Sequence, residues 1–492
     1  MLNIKSKILH CTLIALCAQI FMISVIPVVA SELPDLGSSA DVVLSREEEK
    51  RLADEFLNYI QNSLKLADDP LSTEYIQNLG DKLAAHMEEK QNFTFFIVED
   101  PSINAFAGPG GYIGIHTGLI FATHSEDELA SVLAHEIAHV TQRHLLRSMD
   151  RGSKMTWPSI LAIFAAMAVG DAQVGNAVLA STIAGTVQSK LSYSRDYEHE
   201  ADRIGIRLLS QAGFDPKAMP TFFKTLQQQH QYSDTGLPEF LRTHPITASR
   251  IADSQELAAQ IQPLQAQDAT NYSLTTARLY YHYHSKKKSS QSGLPTRNSK
   301  AVFVEQYEQA IIHLKNEQYS TARKLINDII RKDRPRLPYL ITQAEIEYQQ
   351  KEYNNAIKVL DTARLFYPNA LPLTSLHVSS LIKNQQAHQA LQLLDKQLRQ
   401  TPDNAALYKL KAQACTGLNQ PKEAHEAMAD HYRLIGNIHG AIKHLKSSLK
   451  LAENNRTEKL RLTAKIQQLK EKVIANQPPP PKPAHLSFLY NN

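Results

Sequence analysis

His135-Glu136-Ile137-Ala138-His139 sets two imidazoles four residues apart with a carboxylate beside the first, a spacing suited to metal-assisted hydrolysis if the segment is helical. Four helical residues advance about 6 Å and turn about 40°, so the two rings leave one face of the helix, one turn apart. A single zinc ion accepts two such nitrogens at roughly 2.0–2.1 Å each. Glu136 is turned off that face, where a carboxylate takes a proton from water without occupying a coordination position.

With 20 histidines in 492 residues the pentapeptide can arise by accident, so its setting decides its weight. Ser125-Glu126-Asp127-Glu128 reads as a capping box, and Leu129, Val132 and Leu133 follow as an apolar stripe, placing the motif inside a well-started helix. A catalytic zinc needs a third protein ligand and leaves its fourth position open. The stretch from Tyr193 to Asp202 supplies candidates. If it is helical, Glu198 and Asp202 share a face while Glu200 points nearly the opposite way. Glu198 is therefore the expected third ligand. Asp202, one turn behind, is placed to accept the N–H of a ligating imidazole and fix its tautomer. The competing reading is a solvated acidic face with both carboxylates idle.

Taken with Asn104-Ala105-Phe106-Ala107, Pro109-Gly110-Gly111, Thr117-Gly118-Leu119 and Thr243-His244-Pro245, these residues resemble the zinc metallopeptidases of the HtpX and CAAX prenyl protease type, in their soluble periplasmic branch. The likeness runs from about residue 41 to 262 and continues into the C-terminal half. The resemblance implies one Zn2+ per chain on His135, His139 and Glu198, with Glu136 as catalytic acid/base and Asp202 as a supporting catalytic residue that can donate a proton. It also implies that His244 lies on a loop able to approach the metal. As a regulatory fourth ligand His244 would block the open position; the alternative is a surface histidine before a proline. Unfolded or misassembled outer-membrane proteins are the implied clients, and the outer-membrane β-barrel assembly machinery the implied partner.

The oxyanion of peptide hydrolysis needs a further donor, and Tyr193, Tyr197, His199 and Arg242 are all chemically able. Asn92–Val98 and Tyr112–Thr117 read as short strands separated by a Pro-Gly-Gly turn. An edge strand beside the motif helix would hold extended substrates by backbone pairing, with little side-chain selectivity.

A chain 43% apolar and 21% charged is ordinary globular material, long enough for two or three domains. Lys5 and Lys7 precede an apolar run from Ile8 to Ile26, then Pro27 and Val28-Val29-Ala30. Residues 1–30 thus read as a signal peptide cut after Ala30, with export to the periplasm, a better fit than a retained anchor. Its removal takes Cys11 and Cys17 and leaves Cys415 alone, so no internal disulfide forms. Formal charge falls from +4 to +2, which gives no ground for nucleic-acid binding. Within the apolar stretch 156–185, Trp157–Gly170 is too short to span a bilayer and is followed by Asp171 and Gln173; the stretch reads as a buried or partly exposed helical hairpin, or as a lid or peripheral membrane contact.

Ala322, Ala356, Ala390 and Ala424 recur every 34 residues, the period of tetratricopeptide helix pairs. Tyr319 and Tyr353, then Ile326, Leu360, Leu394 and Met428, and finally Pro368 and Pro402 keep the same step. Ala441 suggests a further irregular pair, and Asn455–Gln477 a capping helix. The whole is expected to be mainly α: a zincin-type α+β metallopeptidase domain with a small sheet at 31–262, a linker at 263–300, an α-solenoid of tetratricopeptide repeats at 301–477 and a Pro-rich tail at 478–492. Such an array docks proteins. The combined reading is an exported zinc endopeptidase acting on envelope proteins, with chaperone activity as an added capacity. The rival is a non-proteolytic chaperone or adaptor on a peptidase fold, which would have no need of a base between two ligands.

Overall fold

Phe95 and Ile97 face one side of strand β1 (Thr94–Val98) and Phe96 and Val98 the other, and all four are buried. This double burial explains a near-continuous apolar run without alternation. The computed structural model describes residues 46–87, 91–148, 157–168, 194–231, 238–262, 268–284, 302–452 and 455–475. The export segment 1–30, residues 169–185 of the apolar stretch and the tail 478–492 lie outside them.

Helices α1 (Arg46–Ser63) and α2 (Pro70–Ala84) precede β1; β2 (Ala105–Gly108) and β3 (Tyr112–His116) complete a sheet of order β1-β3-β2. Strand β3 is parallel to β1 and antiparallel to β2. The sheet has one strand more than the sequence reading supplied, because Ala105–Gly108 is too short and too buried on both faces to alternate. The Pro109–Gly111 turn, with both glycines at positive φ, joins β2 to β3.

Next come α3 (Thr117–Ala122), α4 (Glu126–Thr141), α5 (His144–Ser148), α6 (Trp157–Ala168), α7 (Arg195–Gln211), α8 (Ala218–Gln231), α9 (Glu239–Thr243), α10 (Ala248–Gln260) and α11 (Thr270–His284). Phe95, Ile97, Ile113 and Ile115 pack against Leu129 and Leu133 of α4, Leu209 of α7 and Phe222 of α8. On the opposite face Phe96 and Phe106 meet Leu52 and Phe56 of α1 and Ile160 and Phe164 of α6. Helix α6, the described part of the apolar stretch, is thus a buried core helix.

Ser125 caps α4, its Oγ accepting the Glu128 N–H at 3.1 Å. The Glu128 carboxylate accepts from His124 N–H at 2.7 Å, one residue before the cap rather than from the cap itself. Residues 263–300 are not a linker throughout. Within them α11 buries Tyr272, Leu274, Ala277 and Leu279, its aromatic and β-branched composition having concealed a helix.

The second half stacks α12 (Val302–Lys315), α13 (Tyr319–Lys332), α14 (Leu337–Gln349), α15 (Tyr353–Phe366), α16 (Leu371–Lys383), α17 (Ala387–Gln400), α18 (Ala405–Gly417), α19 (Pro421–Leu434), α20 (Ile438–Leu451) and α21 (Arg456–Ala475). Ala322, Ala356 and Ala390 sit fully buried early in the second helix of successive pairs, where a small residue lets the pair close. Ala424 is only half-buried. The period also appears in the backbone: Glu317, Lys351, Gln385 and Asn419, each 34 residues from the last, take positive φ at the turn within each pair. The array folds back on the first half through Leu71 of α2, packed with Leu340, Ile341 and Leu373. Arg278 of α11 bridges Asp69 at 2.8 Å and Glu345 at 2.6 Å across the same junction. Among the described residues no helix is long and apolar enough to cross a membrane.

Candidate metal centre

His135 Nε2 and His139 Nε2 lie 3.0 Å apart on the buried face of α4. Glu198, from the first turn of α7, places Oε1 3.3 Å from His139 Nε2 and Oε2 3.6 Å from His135 Nε2. His244, which ends α9, brings Nδ1 to 3.3 Å from His135 Nε2 and 3.0 Å from Glu198 Oε1. Four ligand atoms held tetrahedrally by zinc at roughly 2.0–2.1 Å stand about 3.3–3.4 Å apart; these contacts, at 3.0–3.6 Å, lie close to that, and all four atoms fall within 4.8 Å of one another. All four residues are buried, with at most 2% of any exposed.

Glu136 is fully buried beside this cluster, and neither of its carboxylate oxygens has a hydrogen-bond partner among the described residues. His244 Nε2 stands 3.5 Å from its Oε1. Burial raises the Glu136 pKa, against the opposing pull of His244 and His135. Burial alone would depress His135, but Asp202 and Glu198 outweigh it and lift its pKa to about 9. Asp202 Oδ1 lies 3.0 Å from His135 Nδ1, the far side of the ring from the cluster.

Glu198 reaches the site because α7 and α4 approach closely at Gly205. A Cβ there would fall 3.3 Å from the His135 backbone nitrogen and 2.8 Å from the Met219 methyl. Arg250 of α10 neutralises the acidic side chains behind the cluster. Its Nη1 is 2.6 Å from Glu198 Oε2, and Nε and Nη2 donate to the two oxygens of Asp202 at 2.8 and 2.7 Å. Burial would raise Glu198, yet His244 and Arg250 hold its carboxyl well below the usual range. Arg250 Nη1 also donates to the Pro245 carbonyl at 2.9 Å, tying the His244 loop to the same guanidinium.

His135, Glu136, His139, Glu198, Asp202 and His244 thus lie together. Glu200 is not idle: its Oε2 lies 3.1 Å from both His144 Nε2 and Arg147 Nη1. Of the oxyanion candidates, Tyr193 lies outside the described residues and Tyr197 stacks on His144 with ring centroids 4.7 Å apart. His199 faces Asp253 at 3.2 Å, and Arg242 donates to Glu239 at 2.7 Å. None of the three described is aimed into the cluster by these contacts. Arg250 and His144 were missed. Local spacing carries no signal for Arg250, 48 residues from Asp202, while Arg143-His144 directly after the motif helix was a legible hint.

Residues 70–258 match the model of peptidase family M48. The chain is 35% identical over 451 residues to the β-barrel assembly-enhancing protease of Escherichia coli K12, covering 90% of this chain and 92% of that one. The protein of the same name from Yersinia pestis is 34% identical, over 89% and 91% of the two chains. The mitochondrial metalloendopeptidase OMA1 of Danio rerio is 27% identical over 248 residues, 48% of this chain and 52% of that one.

Proposed function

This chain belongs to peptidase family M48 and is a metalloendopeptidase, and we propose that it is an exported, zinc-dependent enzyme degrading misassembled outer-membrane proteins. The observation that carries the chemistry is the set of four buried ligand atoms gathered within 4.8 Å of one another beside a buried carboxylate that has no hydrogen-bond partner among the described residues. His135, His139 and Glu198 would hold the ion. Zinc bound there supplies Lewis acidity toward a carbonyl and lowers the pKa of water toward neutrality.

Glu136 accepts the proton of the attacking water and passes it to the leaving amine. Its raised pKa suits a carboxylate that must hold that proton between two steps. Asp202 fixes His135 with Nδ1 protonated, so that Nε2 offers its lone pair to the metal. His244 acts as a plug: Nδ1 takes the position a substrate or water needs, while Nε2 faces the base. The complete burial of the cluster supports such a closed resting arrangement.

The repeat array brings clients or the β-barrel assembly machinery to the enzyme. The relatives' name and the solvent-exposed Leu365 and Phe366 at the end of α15 support this. A periplasmic address follows from the expected signal peptide. A purely non-proteolytic chaperone is disfavoured, because client binding gives no reason to bear the desolvation cost of a carboxylate buried beside two candidate metal ligands. The deciding experiment compares wild type with Glu136→Gln on an unfolded outer-membrane protein, with zinc measured on both. Loss of cleavage with metal retained is expected; equal cleavage would remove the enzymatic assignment of Glu136.

A further inference from the structure

The two metal-facing histidines are supported differently on their far sides. His135 has a carboxylate directly against Nδ1, whereas His139 Nδ1 meets the Nδ1 of a second imidazole, His144, at 3.0 Å. His144 is fully buried, and its other nitrogen, Nε2, lies 3.1 Å from Glu200 Oε2. We propose that His144 and Glu200 are positioning residues for His139, a carboxylate acting on a zinc ligand through an intervening imidazole. This rests on His139 being a ligand.

Proton placement along the chain follows from which atoms accept. If His139 offers the Nε2 lone pair to the metal, its proton sits on Nδ1 and is donated to His144 Nδ1. His144 then carries its own proton on Nε2 and donates it to Glu200. With the carboxylate as the terminal acceptor, every N–H in the series meets an acceptor, and the tautomer of both rings is set from the Glu200 end. His144 is not a ligand itself, since both ring nitrogens face these partners.

The backbone and the packing hold His144 in that role. Arg143, at φ 50°, turns the chain sharply between α4 and α5 and brings His144 back beneath His139. That backbone conformation is uncommon for a residue with a Cβ, and the Arg143 side chain pairs with Glu49 at 2.8 Å. The His144 ring is stacked on Tyr197 at an interplanar angle of 14°, and Arg147 covers Tyr197 while donating to Glu200. Rotation of His144 is restricted by these contacts, and with it rotation of His139.

The test measures zinc affinity of the mature full-length protein by competition with a chromogenic chelator, and the visible spectrum of the cobalt-substituted protein. Glu200 is half-exposed, so Glu200→Gln and Glu200→Ala should fold; His144→Phe keeps the stack on Tyr197 but loses both hydrogen bonds. Zinc affinity should fall about 10–100-fold in Glu200→Ala and His144→Phe, less in Glu200→Gln, with altered cobalt bands and an unchanged unfolding temperature of metal-free Glu200→Gln, which keeps an acceptor for His144. Unchanged affinity and spectrum, with or without a lower unfolding temperature, would overturn the proposal and leave a structural role only. If wild type itself takes up no zinc or cobalt, the metal assignment fails first, and this inference with it.

Discussion

Arg250 Nη1 lies 2.6 Å from Glu198 Oε2, which leaves Oε1 of the same carboxylate turned toward His139 and His244. One guanidinium, 1% exposed, thereby orients Glu198 and, through its forked bonds to Asp202, the partner of His135. Replacing it by an isosteric apolar chain leaves two buried carboxylates without their cation. Arg250→Met should therefore lose about 3–5 kcal/mol of stability and most of its zinc after dialysis. Denaturant midpoints and zinc content check this; a stable variant with full metal would show that the pair is dispensable.

His244 Nδ1 sits among the proposed ligands while Phe240 stacks on its ring at a centroid distance of 4.7 Å, so the plugged position is packed as well as polar. His244→Ala should raise turnover of an unfolded substrate by the ratio of plugged to open molecules, on the order of tenfold for a preference of about 1.4 kcal/mol. Wild-type zinc content should persist, since His135, His139 and Glu198 remain. Turnover that is unchanged or lower in the variant would mean His244 does not restrain the enzyme.

The parts of this site legible in sequence are those joined by helix geometry. His135 to His139 and Glu198 to Asp202 are each four residues apart, so one spacing rule placed four side chains on two faces. The repeats were legible for a similar reason, their 34-residue step being marked by small residues where helices cross. Arg250 was not, because its partners come from another helix and nothing local selects it. Strand β2 and helix α11 were hidden by burial on all sides, which erases the alternation or the amphipathic stripe that reveals an element. Glu200 shows the limit of the angular rule: the helical pattern sets it off the Glu198–Asp202 face but carries no sign of His144 and Arg147, which it meets.

Glu74 of α2 lies near the backbone N–H of Leu371 at the start of α16, and its Oε2 has no hydrogen-bond partner among the described residues. Burial raises its pKa from 4.5 to about 7. The folded state therefore holds this proton to higher pH than the unfolded chain does. The contribution to stability is complete below about pH 4.5 and is lost as pH rises through about 7. Glu74→Gln cannot ionise, so it should gain on wild type by roughly 2 kcal/mol between pH 5 and pH 8. Urea midpoints at the two pH values test it, and a difference that stays constant with pH would rule Glu74 out as the titrating group.

Gly205 is where fold and chemistry meet, because the approach of α7 to α4 at this residue sets how far Glu198 reaches. A Cβ at Gly205 would lie 2.8 Å from Met219 Cε, 3.3 Å from His135 N and 3.4 Å from Ala134 C. The methionine methyl can move, and alanine gains about 1 kcal/mol of helix propensity over glycine, so Gly205→Ala should be close to neutral in stability. The two methyls of valine have no such escape and press on the α4 backbone. Gly205→Val should cost about 1–3 kcal/mol by overpacking and, by moving α7 outward, weaken zinc binding more than tenfold. Retained affinity in a destabilised Gly205→Val protein would show that Glu198 can follow the metal without this contact, and that helix spacing does not tune the site.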